Sequence, residues 1–261
     1  MMGSPGQSGI VRVGAIADLH FGRHAAAAFA PLFTRLNESV DVLMICGDLT
    51  DHGDPEEARG LARELKQHLR VPAVAVLGNH DHEMGRAGDV ASVMLDAGVT
   101  VLDGDSCEVL GLGFAGVKGF CGGFGPRALG SWGEAAIKQF VQESVNEALK
   151  LETALARLRA RRRLVLLHYS PVVGTVVGEP PEIFPFLGSS RLEEPLARYG
   201  ATAVCHGHAH HGYAQAALKN GTPVYNVSLP LLERTQPDRP FVVIACTPAG
   251  ELEGAETPPG A

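Results

Sequence analysis

The stretch AVAVLGNHD, at residues 73–81, joins a short apolar run directly to a Gly-Asn-His-Asp segment. The same organisation is present in VRVGAIADLH at 11–20 and in VDVLMICGD at 40–48. Helical patterns at 25–37 and 55–68 separate the three runs, and this alternation indicates βαβ units whose strands are buried on both faces. The sequence therefore predicts an α/β protein in which polar, chemically active residues follow the strands.

Further apolar runs bounded by turn residues predict strands later in the chain. They lie at 99–102, 109–115, 164–167, 201–205, 223–227 and 241–246. A long amphipathic pattern predicts a helix over 133–162 that packs on a sheet. We expect a single domain over 1–261, with its core at about 10–247 and flexible termini rich in Gly and Pro.

Composition and charge limit the class of protein. The net charge is −7, from 22 Lys and Arg against 29 Asp and Glu, which argues against a nucleic-acid partner. The 5 cysteines are scattered and odd in number, as is typical of reduced thiols. Because no apolar run approaches the length of a membrane span, we expect a cytoplasmic protein with no membrane partner.

The predicted strand ends carry an unusual concentration of metal-binding side chains. Asp18 and His20 are two residues apart, a spacing that places both on one side of an extended strand. The other candidates after strands are Asp48, Asn79, His80, Asp81, His168, His208 and His210. Carboxylate, imidazole and amide donors without thiolate are typical of sites for Mn, Fe, Zn or Co, and so many donors indicate two metal ions.

The order of these blocks resembles the calcineurin-like metallophosphoesterase superfamily, whose signature is D-x-H, G-D, G-N-H-[DE], H and G-H-x-H. All five blocks are present between residues 18 and 210. The resemblance implies a two-sheet β-sandwich flanked by helices, a four-layer α/β/β/α fold with the site at the carboxyl ends of the strands. It also implies a dinuclear metal centre in which Asp48 bridges the two ions.

The resemblance further implies a role for each site residue. One metal would be held by Asp18, His20, Asp48 and His210, and the other by Asp48, Asn79, His168 and His208. His80 would contact the phosphate or protonate the leaving group, and Asp81 would hold the His80 imidazole.

Within the superfamily, two positions favour the phosphodiesterase-like branch. The Ser/Thr protein phosphatases carry Arg where this chain has His52, and Glu where it has Asp81. With two divalent ions, Asp18, Asp48 and a bridging hydroxide, the site would carry roughly +1, which matches a monoanionic phosphodiester. We therefore expect hydrolysis of a small phosphodiester, such as a cyclic nucleotide or a glycerophosphodiester, by attack of that hydroxide.

The sequence is also compatible with other functions. A phosphomonoesterase or protein phosphatase is the nearest alternative, and a nuclease comes next, although aromatic residues make up only 6% of the chain. A binding scaffold without catalysis is a further alternative. The glycine-rich stretch 116–133 is either a loop whose Lys118 and Arg127 bind substrate or a simple connection. The sequence gives no oligomeric state.

Overall fold

The computed structural model describes residues 9–23 and 29–247, together with the backbone of 252–253. Both predicted flexible termini fall mainly outside the described residues, as does the start of the first predicted helix, at 25–28.

The described part of the chain alternates strands and helices over its first half and contains consecutive strands further on. The strands are β1 (Val11–Ile16), β2 (Val42–Cys46), β3 (Ala73–Val76), β4 (Val99–Val101), β5 (Asp105–Val109), β6 (Leu112–Gly116), β7 (Arg163–Leu166), β8 (Ala203–His206), β9 (Gln215–Ala217), β10 (Pro223–Asn226), β11 (Val242–Cys246) and β12 (Leu252–Glu253). The helices are α1 (Phe29–Ser39), α2 (Pro55–His68), α3 (Ala87–Asp96), α4 (Ala135–Arg157), α5 (Phe184–Leu187), α6 (Glu193–Tyr199) and α7 (Leu229–Thr235).

The strands build two sheets. The order in the first is β12-β11-β1-β2-β3-β4, and in the second it is β5-β6-β7-β8-β10-β9. The central pairs are parallel: β1 with β2 and β2 with β3 in the first sheet, and β7 with β6 and with β8 in the second. The predicted βαβ alternation is thus confirmed, and the carboxyl ends of the central strands lie together.

Alternating side chains of one strand enter two different cores, which explains the unbroken apolar runs. In β2, Val42 and Met44 face the core between the sheets, where they join Phe114 and Leu164 of the second sheet. Leu43 and Ile45 of the same strand instead pack under α1, α2 and α3. A third core lies between the second sheet and α4 and α6. These layers confirm the predicted four-layer α/β/β/α sandwich.

Two element predictions differ from the structure. The run 109–115, predicted as one strand, is a hairpin in which Leu110 and Gly111 form the turn between β5 and β6. Both turn residues have positive φ, 52° and 76°, a backbone conformation that matches the twist of two paired strands. The helix predicted over 133–162 is shorter, Ala135–Arg157. Among the described helices, none is long and apolar enough to cross a membrane.

Candidate metal centre

Residues that follow strands of both sheets converge at one edge of the sandwich. They are Asp18, Asp48 and Asn79 after β1, β2 and β3, and His168, His208 and His210 after β7 and β8. The N–H of Asp18 donates to the carbonyl of Gly47 at 3.0 Å, which joins the first two strand ends. The N–H of His208 donates to the Asp18 carboxylate at 3.0 Å, which joins the two sheets.

The candidate ligands form three overlapping groupings, and Asp48 belongs to two of them. Donor atoms lie within 4.8 Å of one another in Asp18, His20 and His210, in His20, Asp48 and His80, and in Asp48, His168 and His208. Asp48 connects the groupings, because its Oδ2 lies 3.8 Å from Nε2 of His20 and its Oδ1 lies 3.4 Å from Nε2 of His168. Its shared position is the one expected of a bridging ligand.

The side chains around Nε2 of His168 form an environment suited to a cation. Its Nδ1 lies 3.1 Å from the carbonyl of Cys46, an acceptor, so Nδ1 carries the hydrogen and Nε2 keeps a lone pair. Burial lowers the pKa of His168 well below its usual range, which keeps the ring neutral. That lone pair nevertheless lies 2.7 Å from Oδ1 of Asn79. Electron pairs of two uncharged groups and the nearby Asp48 carboxylate converge there, and a metal ion would satisfy all three.

His20 gives a second, independent indication of a bound cation. Its side chain is buried, and neither ring nitrogen has a hydrogen-bond partner with acceptable geometry among the described residues. Burial, reinforced by the nearby rings of His80 and His210, lowers the pKa of His20 to about 4. A neutral imidazole whose Nε2 takes part in no hydrogen bond has a lone pair free to bind a metal, so the residues present fit a metal site.

The pKa values of the two carboxylates, Asp48 and Asp18, are shifted in opposite directions. Burial and the charges of Asp18 and Asp81 raise the pKa of Asp48 well above its usual range. Burial also acts to raise the pKa of Asp18, but the hydrogen bond with His210 and the neighbouring histidines outweigh it, and the net shift is downward. For His210, burial acts to lower the pKa, yet its contact with Asp18 raises it overall. Oδ1 of Asp18 and Nε2 of His210 lie 3.3 Å apart and form an ion pair when His210 is protonated.

The prediction of extended backbone between Asp18 and His20 is wrong, although the two side chains do lie close together. β1 ends at Ile16, and both residues have positive φ, 58° and 42°, so the backbone is not extended there. The glycines before the ligands are required by close approach. A Cβ on Gly47 would lie 2.4 Å from Nδ1 of His168, and one on Gly78 would lie 2.1 Å from Oδ1 of Asp48.

The structure also corrects the predicted contact between Asp81 and the His80 imidazole. Nδ1 of His80 is instead 2.6 Å from the carbonyl of Asp51, to which it donates. Asp81 is fully buried and accepts four hydrogen bonds, from the N–H groups of Gly78, Leu49 and Thr50 and from the Thr50 hydroxyl. Asp81 therefore positions the loops that carry Asp48 and Asn79. His80 lies between these loops and the centre, in one grouping with His20 and Asp48, and its ring centroid is 4.6 Å from that of His20.

Sequence reasoning missed two groups that position ligands. The Asp51 carboxylate lies 3.1 Å from Nδ1 of His20, and its place three residues after Asp48 was the available signal. The carbonyl of Phe186 lies 3.2 Å from Nε2 of His208, which leaves the lone pair of that ring on Nδ1. No local sequence pattern indicated Phe186.

The glycine-rich stretch contributes backbone groups to the site. The carbonyl of Lys118 accepts hydrogen bonds from the backbone N–H groups of His168 and Tyr169, at 2.9 and 3.1 Å. Through Lys118, the stretch therefore holds the backbone at His168 in addition to joining β6 and α4.

His206 lies outside the metal groupings. It is buried, and its Nε2 is 2.7 Å from the Thr175 hydroxyl.

Comparison with known proteins identifies the family. The sequence model of the calcineurin-like phosphoesterase family matches residues 11–212. The chain belongs to this family, and the family supports metal-dependent phosphoester hydrolysis as its class of activity. A comparison with curated proteins gave no match.

Two solved structures share the fold. One is phosphopantetheinyl hydrolase (PptH) from Mycobacterium tuberculosis, with a TM-score of 0.64 and 17% identity, covering 95% of this chain and 98% of that one. The other is TT1561 of Thermus thermophilus, with a TM-score of 0.57 and 16% identity, covering 94% of this chain and 99% of that one. At these identities the likeness concerns the fold alone.

Proposed function

We propose that this protein hydrolyses a small phosphodiester at a dinuclear metal centre. The observation that carries the proposal is the position of Asp48, whose two carboxylate oxygens face different groupings of ligands. One metal would be held by Asp18, His20, Asp48 and His210, and the other by Asp48, Asn79, His168 and His208. When bound, such ions supply Lewis acidity and a nucleophilic hydroxide close to neutral pH.

His80 is the residue proposed to act on the leaving group. Because its Nδ1 donates to the Asp51 carbonyl, its Nε2 is the nitrogen that can exchange a proton with substrate. The backbone N–H of His80 donates to Oδ1 of Asp48 at 2.9 Å, and this hydrogen bond fixes the His80 backbone to the centre. His80 would contact a phosphate oxygen or protonate the departing oxygen.

The charges around the site favour a diester over a monoester. A monoester dianion brings one more negative charge than a diester, and a nearby cation would have to offset it. Arg23 is already paired with Asp51, at 2.9 Å between Nη2 and Oδ1. Lys118 donates to the Gly119 carbonyl and lies over the Phe120 ring. Arg23 and Lys118 thus each have a partner within the protein, an arrangement that agrees with a monoanionic substrate.

The metal identities and the compartment belong to the same proposal. The ligand set suits Mn, Fe, Zn or Co, and availability decides among such ions as much as affinity does. All 5 cysteines are free thiols, which supports a reducing compartment such as the cytoplasm.

Hydrolysis of bis(p-nitrophenyl) phosphate and of p-nitrophenyl phosphate tests the proposal. Protein stripped with a chelator is titrated with Mn²⁺, Fe²⁺, Zn²⁺ or Co²⁺, and metal content is measured in parallel. We expect metal-dependent turnover with a higher kcat/KM for the diester, and Asp48→Asn should lose metal and activity together. Preference for the monoester would overturn the diester assignment, and saturation at one ion per chain would overturn the dinuclear centre.

A further inference from the structure

An apolar cavity of about 610 Å³ lies beside the candidate metal centre. Its walls come from three segments: the loop 116–133, the first turns of α4 and the segment 173–186. The apolar side chains that line it include Phe124, Leu129, Ile137, Phe140, Phe184 and Phe186. Among the described residues that line the cavity, Arg127 alone is charged, and it is exposed to solvent. Volume and lining are typical of a small-molecule site rather than of a gap in packing.

The cavity is joined to the metal centre through one residue. The Phe186 carbonyl accepts the hydrogen bond of His208, and the Phe186 side chain lines the cavity. A phosphate bound near His208 would therefore have its ester substituent within reach of the cavity. Phe186 and Val173 are 55% and 46% exposed, so apolar surface on this wall is left uncovered by the protein.

We infer that this cavity binds an apolar substituent of the phosphoester substrate, such as an alkyl chain. The inference rests on the proposed function, because it needs a phosphate held at the metal centre. Hydrocarbon is favoured over a second anionic group because the cavity offers mainly aromatic and aliphatic side chains. The loop 116–133 then binds substrate through Phe124 and Leu129, and a role for Lys118 as a phosphate ligand is not needed.

Binding of methyl phosphate and of hexyl phosphate to the metal-loaded protein tests the inference. The two probes carry the same phosphate and differ only in five methylene groups. Isothermal titration should give a Kd at least about tenfold lower for hexyl phosphate, since each buried methylene favours binding. Competitive inhibition of bis(p-nitrophenyl) phosphate hydrolysis should show the same ratio.

Variants on two walls of the cavity should remove this preference. Ile137→Asp and Phe186→Ser should bring the ratio of the two Kd values close to one. Because the ratio compares two probes on one variant, a general loss of phosphate binding cancels. Leu149→Asp is the matched control, since Leu149 also lies on α4, is exposed and does not line the cavity. It should keep the wild-type ratio.

The outcomes separate the inference from the proposed function. If both probes bind wild-type protein with Kd values within twofold, the cavity does not hold the substituent, while the metal centre still binds phosphate. A preference for hexyl phosphate that survives both cavity variants also overturns the inference. If neither probe binds the metal-loaded protein, the inference fails, whereas the proposed function fails only if bis(p-nitrophenyl) phosphate is not hydrolysed either.

Discussion

Four candidate ligands adopt a backbone conformation that residues with a side chain rarely hold. Asp18, His20, Asp48 and His208 have φ of 58°, 42°, 49° and 71°. Such conformations cost about 1–3 kcal/mol each and persist where the surrounding structure enforces them. Here the hydrogen bonds between strand ends enforce them, and the result aims donors from both sheets at one volume. Among the described non-glycine residues, Leu110 in the β5–β6 turn is the one other with positive φ, so this strain is concentrated at the candidate site and agrees with a functional role.

His80 is the residue whose removal should separate metal binding from turnover. His80→Ala should keep its metal, because neither proposed set of four metal ligands includes His80, although its ring lies within 4.8 Å of donor atoms of His20 and Asp48. Its kcat should fall about 10²- to 10⁴-fold for a diester with a poor alkoxide leaving group, and less for one that releases p-nitrophenolate. Metal analysis and kcat on both substrates check this. Equal losses on the two substrates would contradict proton donation, and loss of metal would make His80 a ligand.

Asp81 connects two loops of the candidate site through its hydrogen bonds. Asp81 accepts hydrogen bonds both from Gly78, after β3, and from Leu49 and Thr50, after β2. Asp81→Asn replaces one acceptor oxygen by an NH₂ group that faces N–H donors. We expect the free energy of unfolding of the metal-free protein to fall by about 2–4 kcal/mol in urea denaturation.

Asp89→Asn provides the control for this change. Asp89 is exposed and pairs with Arg86 on the surface of α3, so its substitution should hardly alter stability. Equal effects of the two substitutions would show that Asp81 does not hold the loops together.

For the whole molecule, bound metal would connect the two sheets. Asp18, Asp48 and Asn79 come from the first sheet, and His168, His208 and His210 from the second. At a free metal concentration about 100-fold above Kd, binding would add about 2.7 kcal/mol to the free energy of unfolding. We therefore expect a chelator to lower the Tm.

The stabilisation by metal should grow with pH. The pKa values of Asp48 and His210 are raised in the metal-free fold, so both retain protons to higher pH than usual. A metal ion must displace these protons, and its apparent affinity rises as they are lost. The increase in Tm caused by Mn²⁺ should be larger at about pH 8 than at about pH 6. Equal increases at the two pH values would contradict this coupling.

A pair of adjacent histidines tests the source of this pH dependence. His210→Gln should weaken both the stabilisation and its pH dependence. His211→Gln alters a neighbour outside the ligand groupings and should leave both unchanged.

Much of the fold and the site follows from local sequence. The apolar runs of β2 and β3 are buried on both faces, and such runs predict strands covered by a layer on each side. Asp18 and His168 directly follow apolar runs, and Asp48 and Asn79 follow theirs after one glycine. Parallel strands bring their carboxyl ends together. The donors and their order could therefore be read from the chain, and the family match agrees with them.

Contacts between distant residues were decided only by the tertiary structure. The hydrogen bonds of Asp81, the Asp51 carbonyl beside His80 and the Phe186 carbonyl beside His208 depend on how loops pack. The apolar cavity likewise needs the stretches 122–140 and 173–186, which are distant from each other in the chain. Strand periodicity and motif spacing report on neighbours along the backbone, so they specify which donors the site contains. The partner that orients each donor, and the surface a substrate meets, are fixed by packing that no local pattern encodes.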